Sequence, residues 1–343
     1  IAILLGMLVG AVLMLIFGYD PFWAYYDLFS TAFGSLKNIG EILRAMSPLI
    51  LIALGFSVAS KAGLFNVGLP GQALAGWTSA VWFALAFPEL PKVVSIVCTV
   101  IIGLVAGGIT GAVPGILRAY LGTSEVIVTI MMNYIILYVA NNIVRFGFTA
   151  DMLRSSEASN RVSASASYQT DFLSSLTDGS RFNIGFFLAI VAVFLVWFML
   201  KKTTTGFEIT SVGFNPNASE YAGISSKRVI IMSMIISGAL CGLGGTVEGL
   251  GTFQNAFVQN SSLAIGWNGM AVSLLAANSP IGIPFAALLY GVLSVGKTGM
   301  IGMPSEIIDV VSALIIFFVG ANYIIKYWIR PRHKSVKAKG GQN

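Results

Sequence analysis

The chain has 343 residues, of which 56% are hydrophobic and only 10% are charged. Soluble domains carry about 25% charged residues, so the composition excludes a soluble protein and predicts an all-α, polytopic helical membrane protein. The formal net charge of +6 does not indicate a nucleic-acid partner, because six of the twenty Lys and Arg residues lie at or beyond the end of the last apolar run.

Ten apolar segments are long enough, or nearly so, to cross a bilayer, which takes about 20 residues. We therefore expect about ten transmembrane helices. In chain order they cover residues 1–18, 42–60, 67–87, 93–117, 124–146, 184–200, 229–250, 263–278, 281–297 and 306–326. The second and eighth segments fit the pattern of an uninterrupted transmembrane helix least well, so these two are the candidates for a broken or re-entrant segment.

Ten spans place both termini on one side of the membrane. That side holds twelve Lys and Arg residues, whereas the other side holds eight together with most of the acidic residues. Because Lys and Arg are enriched in cytoplasmic loops, we predict that both termini are cytoplasmic. Residues 1–326 would then form one transmembrane domain, and residues 327–343 a basic cytoplasmic tail that contacts anionic membrane lipid.

The fourth apolar segment carries glycine at every fourth position, at Gly103, Gly107, Gly111 and Gly115. The seventh has similar pairs at residues 238, 242, 245 and 249. Small residues on one helix face let two backbones approach closely. We therefore expect these glycines to pack helices together and to need no ligand.

Residues 147–183 form the largest predicted external segment and are rich in serine. Two interpretations remain open from the sequence. The segment is either a mobile surface loop or a platform for an external partner.

A polar segment, residues 201–228, separates the sixth and seventh apolar runs and has two cations at each end. This pattern predicts a cytoplasmic loop. Within it, Asn215 can cap a helix, Pro216 suits the first helical position, and Gly223 suits a left-handed stop. We therefore expect a short helix over residues 216–222.

Spans 2–5 and 7–10 enter the membrane from opposite sides, which is the arrangement of an inverted repeat with a solute path where the halves meet. Uncharged polar side chains in the spans support such a path: Asn66, Gln72, Asn133, Tyr134, Asn141, Asn142, Asn268 and Asn278. For a single residue, interhelical hydrogen bonding of about 0.6 kcal/mol is the simpler explanation. For the set, we expect a path lined chiefly by Asn66, Gln72, Asn133, Tyr134 and Asn268.

No catalytic or metal-binding constellation stands out. The single histidine is His333, in the tail, and Cys98 and Cys241 lie inside apolar runs. Residues 291–298 match the phosphate-binding pattern G-x-x-x-x-G-K-[ST], but they continue an apolar span, and Lys297 is predicted to be external. The few intramembrane acids, Glu125, Glu248 and Asp309, argue against a proton-coupled carrier.

Four stretches together resemble one family. Residues 64–72, LFNVGLPGQ, are similar to the L-F-N-I-G-x-E-G-Q motif of bacterial ABC importer permeases for nucleosides and simple sugars. Residues 124–134, SEVIVTIMMNY, resemble a run of the nucleoside branch, and residues 206–224 resemble the cytoplasmic motif of the family. Residues 266–275, GWNGMAVSLL, follow in the expected order. The chain departs from these motifs at Pro70, where an acid is usual, and at residues 210–211, where Arg-Ala is common.

The resemblance implies that the cytoplasmic segment carries a coupling helix that docks on a separate ATPase. The implied coupling residues are Gly206, Val212, Gly213, Asn215, Pro216, Tyr221, Ala222 and Gly223. It also implies a second, shorter permease forming a heterodimer with this chain, and a lipid-anchored protein that delivers solute from outside. The chain itself would be non-catalytic and hold no cofactor, since ATP and Mg²⁺ would bind the ATPase.

We therefore expect the membrane subunit of a nucleoside importer in a bacterial cell membrane. A pentose or hexose importer is the alternative within the class. A stand-alone secondary transporter or channel is the alternative outside it. An integral-membrane enzyme would need a reactive cluster that the sequence does not provide.

Overall fold

The computed structural model describes residues 2–320, and the basic tail and the end of the last apolar segment lie outside the described residues. The described chain is mostly helical. Its α-helices are α1 (Ala2–Ile16), α2 (Pro21–Phe33), α3 (Leu36–Lys61), α4 (Leu69–Ala86), α5 (Lys92–Leu121), α6 (Glu125–Asn142), α7 (Asp171–Leu176), α8 (Gly185–Lys202), α9 (Thr204–Phe214), α10 (Pro216–Tyr221), α11 (Ser226–Val247), α12 (Ala264–Leu275), α13 (Ile283–Gly296) and α14 (Ser305–Gly320).

Two π-helical turns extend the helices, Ile143–Gly147 after α6 and Glu248–Phe253 after α11. Two 3-10 turns occur at Ala150–Met152 and Lys297–Gly299. A small antiparallel pair, β1 (Leu153–Ser155) and β2 (Ala158–Ser159), lies in the segment between α6 and α7.

Among the described residues, five helical stretches are long and apolar enough to cross a membrane, which agrees with a polytopic membrane protein. They are Leu36–Lys61, Lys92–Leu121, Glu125–Gly147, Gly185–Lys202 and Ser226–Phe253. Each of the ten predicted segments contains a helix, but α12 has only 12 residues. At 1.5 Å per residue it reaches about 18 Å, less than the roughly 30 Å of a bilayer core. The weak fit of residues 263–278 thus has a physical basis.

The other doubtful segment, residues 42–60, is not broken. Helix α3 runs through it without interruption for 26 residues although Pro48 lies inside. Every residue from Met46 to Ala59 is buried, so α3 is surrounded by other helices. A helix that is buried on all sides needs no polar face, which explains its nearly continuous apolar sequence.

The glycine stripes pack α5 against α11, as the sequence predicts. A Cβ atom at Gly107 would overlap the carbonyl oxygen of Gly238, and one at Gly103 would overlap the side chain of Thr246. On another face of α11, a Cβ at Gly245 would overlap the Ala73 carbonyl. The helices are therefore in backbone contact, which only glycine permits.

The chain divides into two compact units, one of residues 25–301 and one containing the described residues 2–24 and 302–320. In the second unit, α1 packs along α14. All the site residues predicted from the sequence lie in the first unit.

Candidate functional site

The connection between α3 and α4 is an irregular segment buried among helices. Helix α3 ends at Lys61, Gly63 adopts φ +76, and the Leu64 N–H donates to the Ala59 carbonyl at 3.0 Å. Residues 64–68 have no regular structure, and Asn66 and Val67 are 0% and 6% exposed. Such backbone is tolerated at membrane depth only where its polar groups are satisfied by protein or a water-filled cavity.

Side chains of α6 satisfy this backbone. The Val67 N–H donates to the Thr129 hydroxyl at 3.2 Å, and the Asn133 amide nitrogen donates to the Val67 carbonyl at 2.9 Å. The Asn133 amide oxygen in turn accepts the Gly71 N–H at 2.9 Å. Asn133 therefore connects the irregular segment, the first turn of α4 and α6.

Asn66 extends the same hydrogen-bond network to α11. Its amide nitrogen donates to Gln72 Oε1 at 3.0 Å and to the Ser237 hydroxyl at 2.8 Å, and its oxygen accepts the Gly68 N–H at 2.9 Å. Asn66, Gln72 and Asn133 are 0%, 3% and 4% exposed. The structure thus brings three of the five predicted path residues together, and their bonds serve to hold the loop. Whether they also line a path stays a prediction.

The other two predicted path residues lie elsewhere. Tyr134 is 58% exposed and follows Asn133 on α6, so it points away from the buried network. Asn268 on α12 accepts a hydrogen bond from the Tyr290 hydroxyl of α13 at 2.8 Å. The first turns of α12 and α4 do meet, because a Cβ at Gly266 would lie 2.5 Å from the Pro70 nitrogen.

The short helix predicted in residues 201–228 is present as α10. The Asn215 side chain accepts the Ala218 N–H at 3.1 Å, and Pro216 begins the helix. Gly223 has φ +84, its N–H donates to the Glu220 carbonyl at 2.9 Å, and the Ile224 N–H donates to the Ser219 carbonyl at 2.9 Å. This is the Schellman stop that the glycine predicts.

Helix α9, which precedes α10, was missed by the sequence analysis. It covers Thr204–Phe214, and the Thr203 hydroxyl caps it by accepting the Gly206 N–H at 3.2 Å. The sequence signal is a threonine, Thr203, before a run in which Gly206, Ile209 and Val212 are spaced three residues apart. These three residues are the buried positions of α9. The segment is therefore two consecutive helices and not a loop with one helix.

The eight predicted coupling residues divide into two groups. Gly206 and Val212 are buried in the body, and a Cβ at Gly213 would overlap the Lys61 carbonyl oxygen. The exposed group is Asn215, Pro216, Tyr221, Ala222 and Gly223. Tyr221 is 96% exposed and the neighbouring Phe214 86%. Two exposed aromatic side chains thus stand at the last residues of α9 and α10.

A charged network at the opposite end of α3 was also missed. Glu41 pairs with Arg44 at 2.6 Å and with Arg181 at 3.0 Å. Arg44 Nη1 donates to the Thr252 hydroxyl at 3.0 Å, and that hydroxyl donates to Glu248 at 3.0 Å. The sequence signal was the Glu-x-x-Arg spacing on one helix face. The network joins α3, the π-helical turn after α11 and the segment before α8.

The predicted external segment, residues 147–183, is bonded to the residues that follow α11. The Ser159 N–H donates to the Ala256 carbonyl at 2.8 Å, and the Val162 N–H to the Gln254 carbonyl at 2.8 Å. The Tyr168 hydroxyl lies 3.1 Å from that of Thr99, and burial raises the pKa of this phenol. These bonds fix the conformation of the segment and argue against a mobile loop. That the segment is a platform for an external partner stays a prediction.

Comparison with known proteins places this geometry in context. The family described as "Branched-chain amino acid transport system / permease component" matches residues 38–320. The nucleoside ABC transporter permease protein NupB of Lactococcus lactis is 54% identical over 98% of this chain and 94% of its own length.

The guanosine ABC transporter permease protein NupP of Bacillus subtilis is 42% identical over 95% of this chain and 93% of its own length. NupC, a second nucleoside permease protein of L. lactis, is 23% identical over 75% of this chain and 80% of its own length. No solved structure matches.

Proposed function

The chain belongs to the branched-chain amino acid transport system/permease component family, and on this premise we propose that it is the permease subunit of an ABC importer for nucleosides. The observation that carries the proposal is similarity over nearly the whole chain to two permeases, at 54% and 42% identity, whose names specify nucleosides and guanosine. The shared length includes every motif discussed above.

The proposed assembly has four kinds of component. NupB and NupC occur together in one organism, so a second, different permease beside this chain is part of the proposal. A cytoplasmic ATPase binds ATP and Mg²⁺, and a lipid-anchored protein supplies solute from outside. This chain contributes the path and no catalytic group or cofactor.

The proposed topology places about ten helices in the bacterial cell membrane, with both termini and the segment of residues 201–228 in the cytoplasm. The Lys and Arg distribution supports this orientation. Residues 147–183 and the charged network of Glu41, Arg44, Arg181 and Glu248 then lie on the external side.

In this topology α10 is the coupling helix. Phe214 and Tyr221 are the exposed side chains available to a cleft of the ATPase. Closure of the ATPase would move α9 and α10 together, and α9 would press on the end of α3 and on the loop held by Asn66 and Asn133. Rocking of the helices around that loop would alternate access to the path.

Uptake by proteoliposomes that contain all four kinds of component tests the proposal. We expect ATP-dependent uptake of nucleosides from a panel of nucleosides and simple sugars, and none when the ATPase is omitted. Uptake by this chain alone would instead establish a stand-alone carrier. Uptake restricted to sugars would assign the chain to the sugar branch.

A further inference from the structure

Helix α6 exposes a row of polar side chains on the face opposite its buried network. Residues at i, i+4 and i+8 share one face of an α-helix, and here these are Tyr134, Tyr138 and Asn142. Tyr134 is 58% exposed, Tyr138 is 70% exposed, and Asn142 is exposed as well. No described residue hydrogen-bonds these three side chains.

The depth of Tyr134 is unusual for tyrosine. Transmembrane tyrosines are enriched at the two membrane–water interfaces. Tyr134 lies nine residues after Glu125, the first residue of α6, which corresponds to about 14 Å along the helix. That position is near the middle of a core of about 30 Å, where a hydroxyl without a partner is costly.

The polar row is also separated from an apolar flank on the same helix. Ile135 and Val139, which follow Tyr134 and Tyr138 by one residue, are 51% and 47% exposed. An apolar flank suits lipid, whereas a phenol group at mid-membrane needs a hydrogen-bonding neighbour. Toward the start of α6 the face that carries the tyrosines is also apolar, with Ile127 and Met131 62% and 61% exposed, so the polar groups begin at Tyr134.

We propose that Tyr134, Tyr138 and Asn142 form a wall of the translocation path, facing the second permease, and that the two phenol rings stack on the nucleobase of the passing solute. This inference rests on the proposed function. A nucleobase offers a flat π-face that stacks on aromatic side chains, and phenol and amide groups can bond its polar edges and the ribose hydroxyls. Among small solutes, a nucleoside matches both properties.

The row lies on the same helix as the network that holds the loop between α3 and α4. Asn133, on the other face of the same helix turn as Tyr134, is bonded to Val67 and Gly71. Any shift of the loop between α3 and α4 therefore turns or tilts α6 and changes the space in front of the tyrosines. Through these bonds, a shift of the loop would change how the aromatic row contacts the solute.

Cysteine reactivity in the complete transporter tests the location of the row. With Cys98 and Cys241 replaced by alanine, Tyr134→Cys and Tyr138→Cys are compared with Ile135→Cys and Val139→Cys during turnover, with a water-soluble thiol reagent. We expect modification at 134 and 138 with protection by excess nucleoside, and none at 135 and 139. Equal lack of reaction at all four positions would overturn the proposal.

Transport rates test the stacking role. At saturating loaded binding protein, Tyr138→Leu should lower nucleoside uptake about tenfold. Tyr138→Phe, which keeps the ring but loses the hydroxyl, should lower uptake clearly less than Tyr138→Leu, and Val139→Ala should stay within about twofold. Equal losses in the Leu and Phe variants would contradict stacking. If the wild-type complex took up no nucleoside, the proposed function would fail, while the reactivity pattern would still report whether the row faces a path.

Discussion

Gly213 lies directly against the carbonyl oxygen of Lys61, with no room between them for a Cβ atom. The contact joins the end of α9 to the end of α3, and Gly63, two residues further on, also faces Gly213. Backbone in contact with backbone cannot absorb a displacement by side-chain rotation. A displacement of residues 201–228 would therefore be transmitted directly to the loop held by Asn66 and Asn133.

A side chain at position 213 should break this transmission. Gly213→Val forces α9 away from Lys61, and overpacking of this kind costs about 1–3 kcal/mol. We expect uptake by the reconstituted transporter to fall at least tenfold, while the ATPase still co-purifies because Phe214 and Tyr221 stay exposed. Thr204→Val, at the exposed start of the same helix, is the control. Normal uptake by the Gly213 variant would show that the contact carries no force.

The stop of α10 offers a second test, with a matched control in the chain. Gly223 and Gly122 both have positive φ, +84 and +65, and both have open space where a Cβ would lie. Valine at either site strains the backbone by about 1–2 kcal/mol. We expect Gly223→Val to lower ATPase binding and uptake, whereas Gly122→Val lowers thermal stability alone. Equal uptake by the two variants would argue against α10 as the coupling helix.

The sequence predicts local features of this protein well, because caps and stops are set by neighbouring residues. Asn215, Pro216 and Gly223 mark the cap, the first position and the stop of α10 in the local sequence, and glycines four residues apart are enough to predict a close helix pair. The class of protein, a polytopic helical membrane protein, also follows from the sequence, because composition does not depend on contacts between distant residues.

Long-range contacts could not be predicted. Asn66 is 171 residues from Ser237, and Arg44 is 208 residues from Thr252, so nothing in the local sequence indicates either bond. Polar residues in a span are equally consistent with two explanations: they line a solute path, or they form hydrogen bonds between helices. Only the packing of α3, α4, α6 and α11 shows that Asn66 and Asn133 are hydrogen-bonded, and that Tyr134 has no such bond to a residue that the structure describes.

Asn66 should be important for stability. Asn66→Ala leaves the Gly68 N–H, Gln72 and Ser237 without a partner in the interior, and each unsatisfied buried group costs about 1–3 kcal/mol. We expect a clear drop in the unfolding temperature of the detergent-solubilised transporter. Asn217→Ala, at an exposed position of α10, should leave that temperature unchanged. A drop no larger than that of the control would mean that water replaces the lost bonds.

The charged network at the other end of α3 predicts an asymmetry between its members. The side chain of Glu41 is 15% exposed and bonds two arginines, whereas that of Arg181 is 52% exposed and bonds Glu41 alone among the described residues. Removing a buried partner strands the charge left behind and costs about 3 kcal/mol or more. Removing a half-exposed one costs about 1 kcal/mol or less.

We therefore expect Glu41→Gln to destabilise the transporter much more than Arg181→Gln, as measured by denaturant unfolding of the solubilised complex. Salt should distinguish the two substitutions further, because dissolved ions screen solvent-exposed ion pairs more than buried ones. At 0.5 M NaCl, a concentration of the order that screens such pairs, the effect of Arg181→Gln should disappear while that of Glu41→Gln persists. Equal effects of the two substitutions would contradict this asymmetry, and would show that the buried position of Glu41 adds nothing to the strength of its ion pairs.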